Sequence, residues 1–169
     1  QAIDVAVRHH AAGRLSDAQN IYQEILETHP KQFDALHLLG VVAHQEGKHQ
    51  QAVDLITEAL TLNPEFAVAH NNLGNAFFAA GKPDNAIASF QRAIFIKTDF
   101  AEAHKNLGIT LLSLGRIKDG LEELEWRWRE PFQIADLRNF AQPKWNGITN
   151  LKNKTLLLWP EQGPQDVII

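Results

Sequence analysis

The chain has no cysteine, no methionine, a single tyrosine and no uninterrupted apolar run near membrane-spanning length. Without cysteine there is no disulfide, no thiolate nucleophile and no Cys-ligated zinc. Without an apolar stretch of about 18 residues no membrane span is implied. The opening QAIDVAVRHH lacks the basic and apolar regions of a secretory signal. It also lacks a Met, and reads as the start of a processed or excised fragment. Basic residues number 16 against 20 acidic ones, for a net charge of −4, and no Lys/Arg cluster occurs. The electrostatic footprint of a nucleic-acid binder is missing, so no nucleic-acid partner is expected. Nucleotide loops, Gly-rich phosphate cradles and nucleophile–base constellations are missing too. The chain is therefore read as no enzyme in itself, with no cofactor of its own. The cytoplasm stands as the default compartment.

What is present is a step of 34 residues. Leu39-Gly40 recurs as Leu73-Gly74 and Leu107-Gly108, and Gly13, Gly47, Gly81 and Gly115 keep the same spacing. So do Ala18, Ala52 and Ala86, with Gly120 in the fourth copy. Pro30 and Pro64 follow it, and Thr98 then replaces the proline. Each copy reads as two helices. In the first, apolar residues recur at i, i+3, i+4 and i+7, as in Leu36, Leu39, Gly40 and Ala43, which makes one buried face. Gly40, Gly74 and Gly108 cost helix stability. Close approach of the partner helix, which a Cβ would obstruct, is the expected compensation. Gly47, Gly81 and Gly115 end the first helices at a position that favours positive φ. Ala18, Ala52 and Ala86 are expected at the helix crossing, opposite a large residue, Tyr22, Ile56, Phe90 or Leu124. Pro83 suits the first turn of a second helix, and His29-Pro30 and Asn63-Pro64 terminate the second helices.

A 34-residue helix–turn–helix period is the signature of the tetratricopeptide repeat. The resemblance implies an all-α, right-handed superhelix, an α-α solenoid whose concave wall takes a protein or an extended peptide. The copies fall at 1–32 (with a degenerate first helix), 33–66, 67–100 and 101–130, the last divergent and capping. Residues 131–153 read as a linker, marked by Pro131, Gln142-Pro143 and Asn146-Gly147. The run from Thr155 to Trp159 reads as a buried strand, so 154–169 would open a truncated α/β domain.

The stretch AHNNLGNAFFAAGKPDNAIASFQRAIFIKTDFAEAHKNLG resembles the superhelix of O-linked N-acetylglucosamine transferases. In that family an asparagine before Leu-Gly forms a ladder that holds peptide backbone. The matching residues are Asn72 and Asn106, while Leu38 stands at that place in the second copy. The tail, with Glu125-Trp126-Arg127-Trp128-Arg129, Gln142 to Gly147 and Lys154 to Gly163, resembles the junction of bacterial proteins that fuse such repeats to a glycosyltransferase. That resemblance implies a nucleotide sugar for a full-length protein. It also makes Asp166, in Gly163-Pro164-Gln165-Asp166, a candidate general base, with Gln165 replacing the family's glycine.

The candidate groove residues are therefore Asn71, Asn72, Asn75, Lys105 and Asn106, with Phe78, His37 and His44. Asparagine can pair with both groups of a peptide backbone. The competing reading is that such residues solvate a helix or bridge repeats. Phe77 belongs to the core stripe, whereas Phe78 points nearer the groove. Eight histidines raise a metal site, but no pair has the i, i+4 spacing of a helical zinc site, and none is expected. His70 and His104 are expected to pack between repeats by their ring faces. Trp126 and Trp128 are expected to seal the end of the stack, and an exposed apolar end could pair with a second copy.

Overall fold

A computed structural model describes residues 2–126 and Lys152. All but Lys152 belong to one compact unit, Gln1–Arg127. The described part is helical throughout: α1 (Ala2–Ala11), α2 (Leu15–Thr28), α3 (Phe33–Gln45), α4 (His49–Leu62), α5 (Ala67–Ala79), α6 (Pro83–Ile96), α7 (Ala101–Ser113) and α8 (Ile117–Leu124). These are four hairpins stacked in chain order, the all-α solenoid that the 34-residue step implies. The strand expected at Thr155–Trp159, the linker before it apart from Lys152, Trp128 and Asp166 lie outside the described residues.

The turn inside each hairpin follows from glycine. At Gly81, φ is +72°, a left-handed conformation that a Cβ disfavours. There the Gly81 amide donates to the Phe78 carbonyl at 3.0 Å, and the Lys82 amide to that of Phe77 at 2.9 Å. This pair of bonds satisfies the last carbonyls of α5. The same turn recurs at Gly47.

The glycines inside the first helices have a different cause. A Cβ on Gly40 would lie 2.6 Å from Ile56 Cγ1 and 3.3 Å from the Ala52 carbonyl oxygen. On Gly74 it would enter the Phe90 ring, with Cδ1 at 2.6 Å. The two helices of a hairpin thus cross at glycine, and the large residue of the second helix fills the space. In the last hairpin a Cβ on Gly120 would meet the Gly108 carbonyl oxygen at 2.9 Å. Glycine replaces alanine there because α7 and α8 run closer still.

The core sits at these crossings and between hairpins. Ala6, Ala18, Tyr22, Ala35, Leu39 and Val42 form one cluster. Ala43, Ala52, Val53, Ile56, Leu60, Ala69, Leu73 and Ala76 form the next, and Ala86, Ile87, Phe90, Leu107 and Leu111 the third. Phe77 packs against two of them, as its place on the core stripe implied. A continuous core of this kind makes each hairpin depend on its neighbours.

Curvature follows from which helices meet. Successive first helices touch: α1 with α3, α3 with α5 and α5 with α7. No such contact joins α2 with α4, α4 with α6 or α6 with α8. The stack therefore bends with its first helices on the inside.

Candidate protein-binding wall

The inner wall is the solvent-facing stripe of α3, α5 and α7. On α5 it runs through Val68, Asn72, Asn75, Phe78 and Ala79, none of them buried, while Ala69, Leu73, Gly74 and Ala76 face the core. One step of 34 residues places Glu102, Asn106, Ile109 and Ser113 on the same stripe of α7. Asp34, Leu38, Val41, His44 and Gln45 occupy it on α3.

Between adjacent first helices the polar residues bond to one another. Asn72 Nδ2 donates to His37 Nε2 at 3.0 Å, joining α5 to α3. One repeat on, Asn106 Nδ2 donates to Asn71 Oδ1 at 3.1 Å, joining α7 to α5. Asn71 in turn donates to Glu102 Oε1 at 3.2 Å. At the equivalent rung before these, Leu38 and Ile3 both pack against the first core cluster. An apolar pair there takes the place of the polar one.

His37 and Asn71 are 5% and 1% exposed. Both are buried, and His37 Nε2 and the Asn71 amide bond between repeats, which corrects the expectation that they face a guest. His37 is enclosed by Phe33 and Phe66, its ring centroid 5.8 Å and 5.7 Å from theirs. Burial pushes its pKa below the usual histidine range, against an opposing pull from Asp34. The ring is then a neutral acceptor, as the bond from Asn72 requires. Burial also lowers the pKa of His44, and the neighbouring His49, 5.3 Å away ring to ring, lowers it further.

Asn72, Asn75, Asn106 and Lys105 are half-buried on the wall, and Phe78 is 39% exposed. Sequence reasoning passed over Val68 and Ile109, which are 43% and 46% exposed on the same stripe. The signal was available, since Ile109 stands one repeat after Asn75 and Val68 one before Glu102.

His70 and His104 act between repeats through ring nitrogens. His70 Nε2 donates to the Pro64 carbonyl at 2.9 Å, and His104 Nε2 to that of Thr98 at 3.2 Å. His104 also bonds to Glu123 through Nδ1 at 2.5 Å and stacks on Trp126 with centroids 3.9 Å apart. Ring edges, with a ring face only at His104, replace the expected face packing. Among the described residues no group of three or more metal-ligating side chains converges. No helix among them is long and apolar enough to cross a membrane.

Three repeat-family profiles match the chain. One described as a tetratricopeptide repeat covers 6–65 and a second covers 43–93, while one described as a TPR repeat covers 74–115. Together they span most of the stack described above. The chain is a tetratricopeptide-repeat protein. No curated protein matches it at significant similarity. Among solved structures, this tetratricopeptide-repeat chain is similar to the MamA protein, at 26% identity and TM-score 0.69, over 80% of this chain and 75% of that one. A MamA fragment from Desulfovibrio magneticus RS-1, at 18% identity and TM-score 0.71 over 77% of this chain and 76% of that one, shares the fold. It is also similar to a Thermobaculum terrenum O-GlcNAc transferase, at 29% identity and TM-score 0.64 over 65% of this chain but 21% of that one. Tetratricopeptide repeats of this kind are a scaffold for protein interaction.

Proposed function

We propose that this chain is an autonomous adaptor that receives a segment of another protein on its concave wall. The observation that supports this is the curvature itself. First helices meet while second helices splay, so the α3, α5 and α7 stripes form one trough. The similarity to MamA runs along most of both chains, which supports the adaptor reading. A photo-crosslinking residue at Asn75, on the inner wall, should capture a partner in cells. The same residue at Gln91, exposed on α6, should not. Equal capture from both positions would overturn the reading.

A second reading makes the repeats the substrate-recruiting region of a glycosyltransferase. It draws on the 29% identity to the O-GlcNAc transferase. With it come a nucleotide sugar and a role for Asp166. A coding sequence that continues past Ile169 into a nucleotide-sugar domain would favour it, and any other continuation would remove it.

Self-association is a third use of the surface. Val53 and Ile87 are 6% and 9% exposed, yet Leu121, at the same register on α8, is 53% exposed. Concentration-dependent sedimentation that Leu121→Glu abolishes would support pairing with a second copy.

A further inference from the structure

The polar and apolar tracks of the trough have different availability. Asparagines that hold a peptide backbone must offer it unspent donors and acceptors. Here Asn72 and Asn106 each direct Nδ2 to the preceding first helix. Asn71, between them, both accepts and donates within the stack. A guest that took the N–H groups already engaged would break bonds between repeats and leave His37 or Asn71 buried without that partner, so the asparagines offer it only their remaining N–H and oxygen. The apolar track carries no such cost. Val68, Phe78 and Ile109 stand on two adjacent first helices, each more than a third exposed. Val68 and Phe78 are ten positions apart on α5, so about 15 Å of wall lies between them.

The charges of the trough select further. Asp34 and Glu102 are exposed carboxylates on the stripe, which carries no lysine or arginine on α3, α5 or α7, while Lys105 beside it, in register with His37 and Asn71, already interacts with other groups. His37 and His44 add no positive charge near neutral pH, because burial holds both below the usual histidine range. An acidic guest would meet carboxylates with little to offset them.

Building on the adaptor reading, we propose that the guest is a protein segment without net negative charge. Its apolar side chains hold it against Val68, Phe78 and Ile109, and the asparagine rungs serve the stack rather than the guest. The trough then selects side chains where the resembling transferases hold backbone.

Three short, end-capped peptides test this by fluorescence anisotropy: alternating leucine–lysine, serine–lysine and leucine–glutamate. The leucine–lysine peptide should bind. It should still bind at about 1 M salt, where the Debye length is about 3 Å and simple charge attraction is screened. The other two peptides should bind at least about tenfold more weakly. Phe78→Ser with Ile109→Ser should cost the leucine–lysine peptide about tenfold or more. Both residues are exposed, and circular dichroism checks that this variant is folded. Asn72→Ala with Asn106→Ala, assayed well below its own melting temperature, should keep affinity within about twofold while melting earlier. Equal binding of the serine–lysine peptide, retained affinity in the Phe78/Ile109 variant, or loss of affinity confined to the asparagine variant would overturn the side-chain proposal and leave the adaptor reading standing. Absence of binding by all three peptides, together with no Asn75 crosslink, would overturn both.

Discussion

Asn106 donates its side-chain amide to the oxygen of Asn71 at 3.1 Å, and Asn71 is 1% exposed. The bond repeats the one from Asn72 to His37 at the same offset of 35 residues. Two helices that are far apart in sequence are thus pinned at a constant register.

Asn106→Ala should destabilise the array by about 1–2 kcal/mol, because it leaves the Asn71 oxygen buried without its donor. In a double-mutant cycle with Asn71→Ala, a coupling of about 0.5 kcal/mol or more is expected. Urea unfolding followed by circular dichroism measures both, and strict additivity would show that the rung carries no energy.

The His37 rung makes stability depend on pH. The pKa of its folded form lies below the unfolded value of about 6.5. The unfolded chain then binds more protons, so stability is fully present above about pH 6.5 and falls as pH drops through the folded value. His44 acts in the same direction. His37→Gln keeps an acceptor for Asn72 and does not titrate. Its melting temperature should fall less than wild type between pH 7 and pH 5, and identical slopes would refute the assignment.

Gly74→Ala sets two effects against each other. Alanine gains about 1 kcal/mol of helix propensity. Its Cβ would enter the Phe90 ring, and overpacking of this kind costs about 1–3 kcal/mol. Net destabilisation is expected, with partial rescue by Phe90→Leu. A raised melting temperature for Gly74→Ala alone would mean that α5 and α6 can separate cheaply.

Tyr22 is fully buried at the site held by Ile56, Phe90 and Leu124 in later copies. Its hydroxyl has no protein partner, and burial pushes its pKa up. Tyr22→Phe removes a desolvated polar group and keeps the ring, so stability should rise by about 1 kcal/mol. A loss of that size in urea unfolding would reveal a bond to the hydroxyl.

Chain order alone settled much of this protein. The glycine step fixed where each hairpin turns, because a left-handed residue ends a helix wherever it stands. The spacing of Leu-Gly and alanine fixed the core faces, because side chains three and four apart share one side of a helix. Asn71 and His37 were not assignable in this way. Both lie toward the inner side, and periodicity cannot say how closely the next hairpin approaches. That distance comes from packing at the glycine crossings, which sets the bend and brings first helices together. It buries Asn71 and His37 between repeats and leaves Val68, Phe78 and Ile109 open to water. Thr98 gives the same lesson: α6 ends at Ile96, in register with the end of α4 at Leu62, without the proline. There a turn follows, the Phe100 amide donating to the Lys97 carbonyl at 3.1 Å, and His104 of the next first helix holds the Thr98 carbonyl at 3.2 Å.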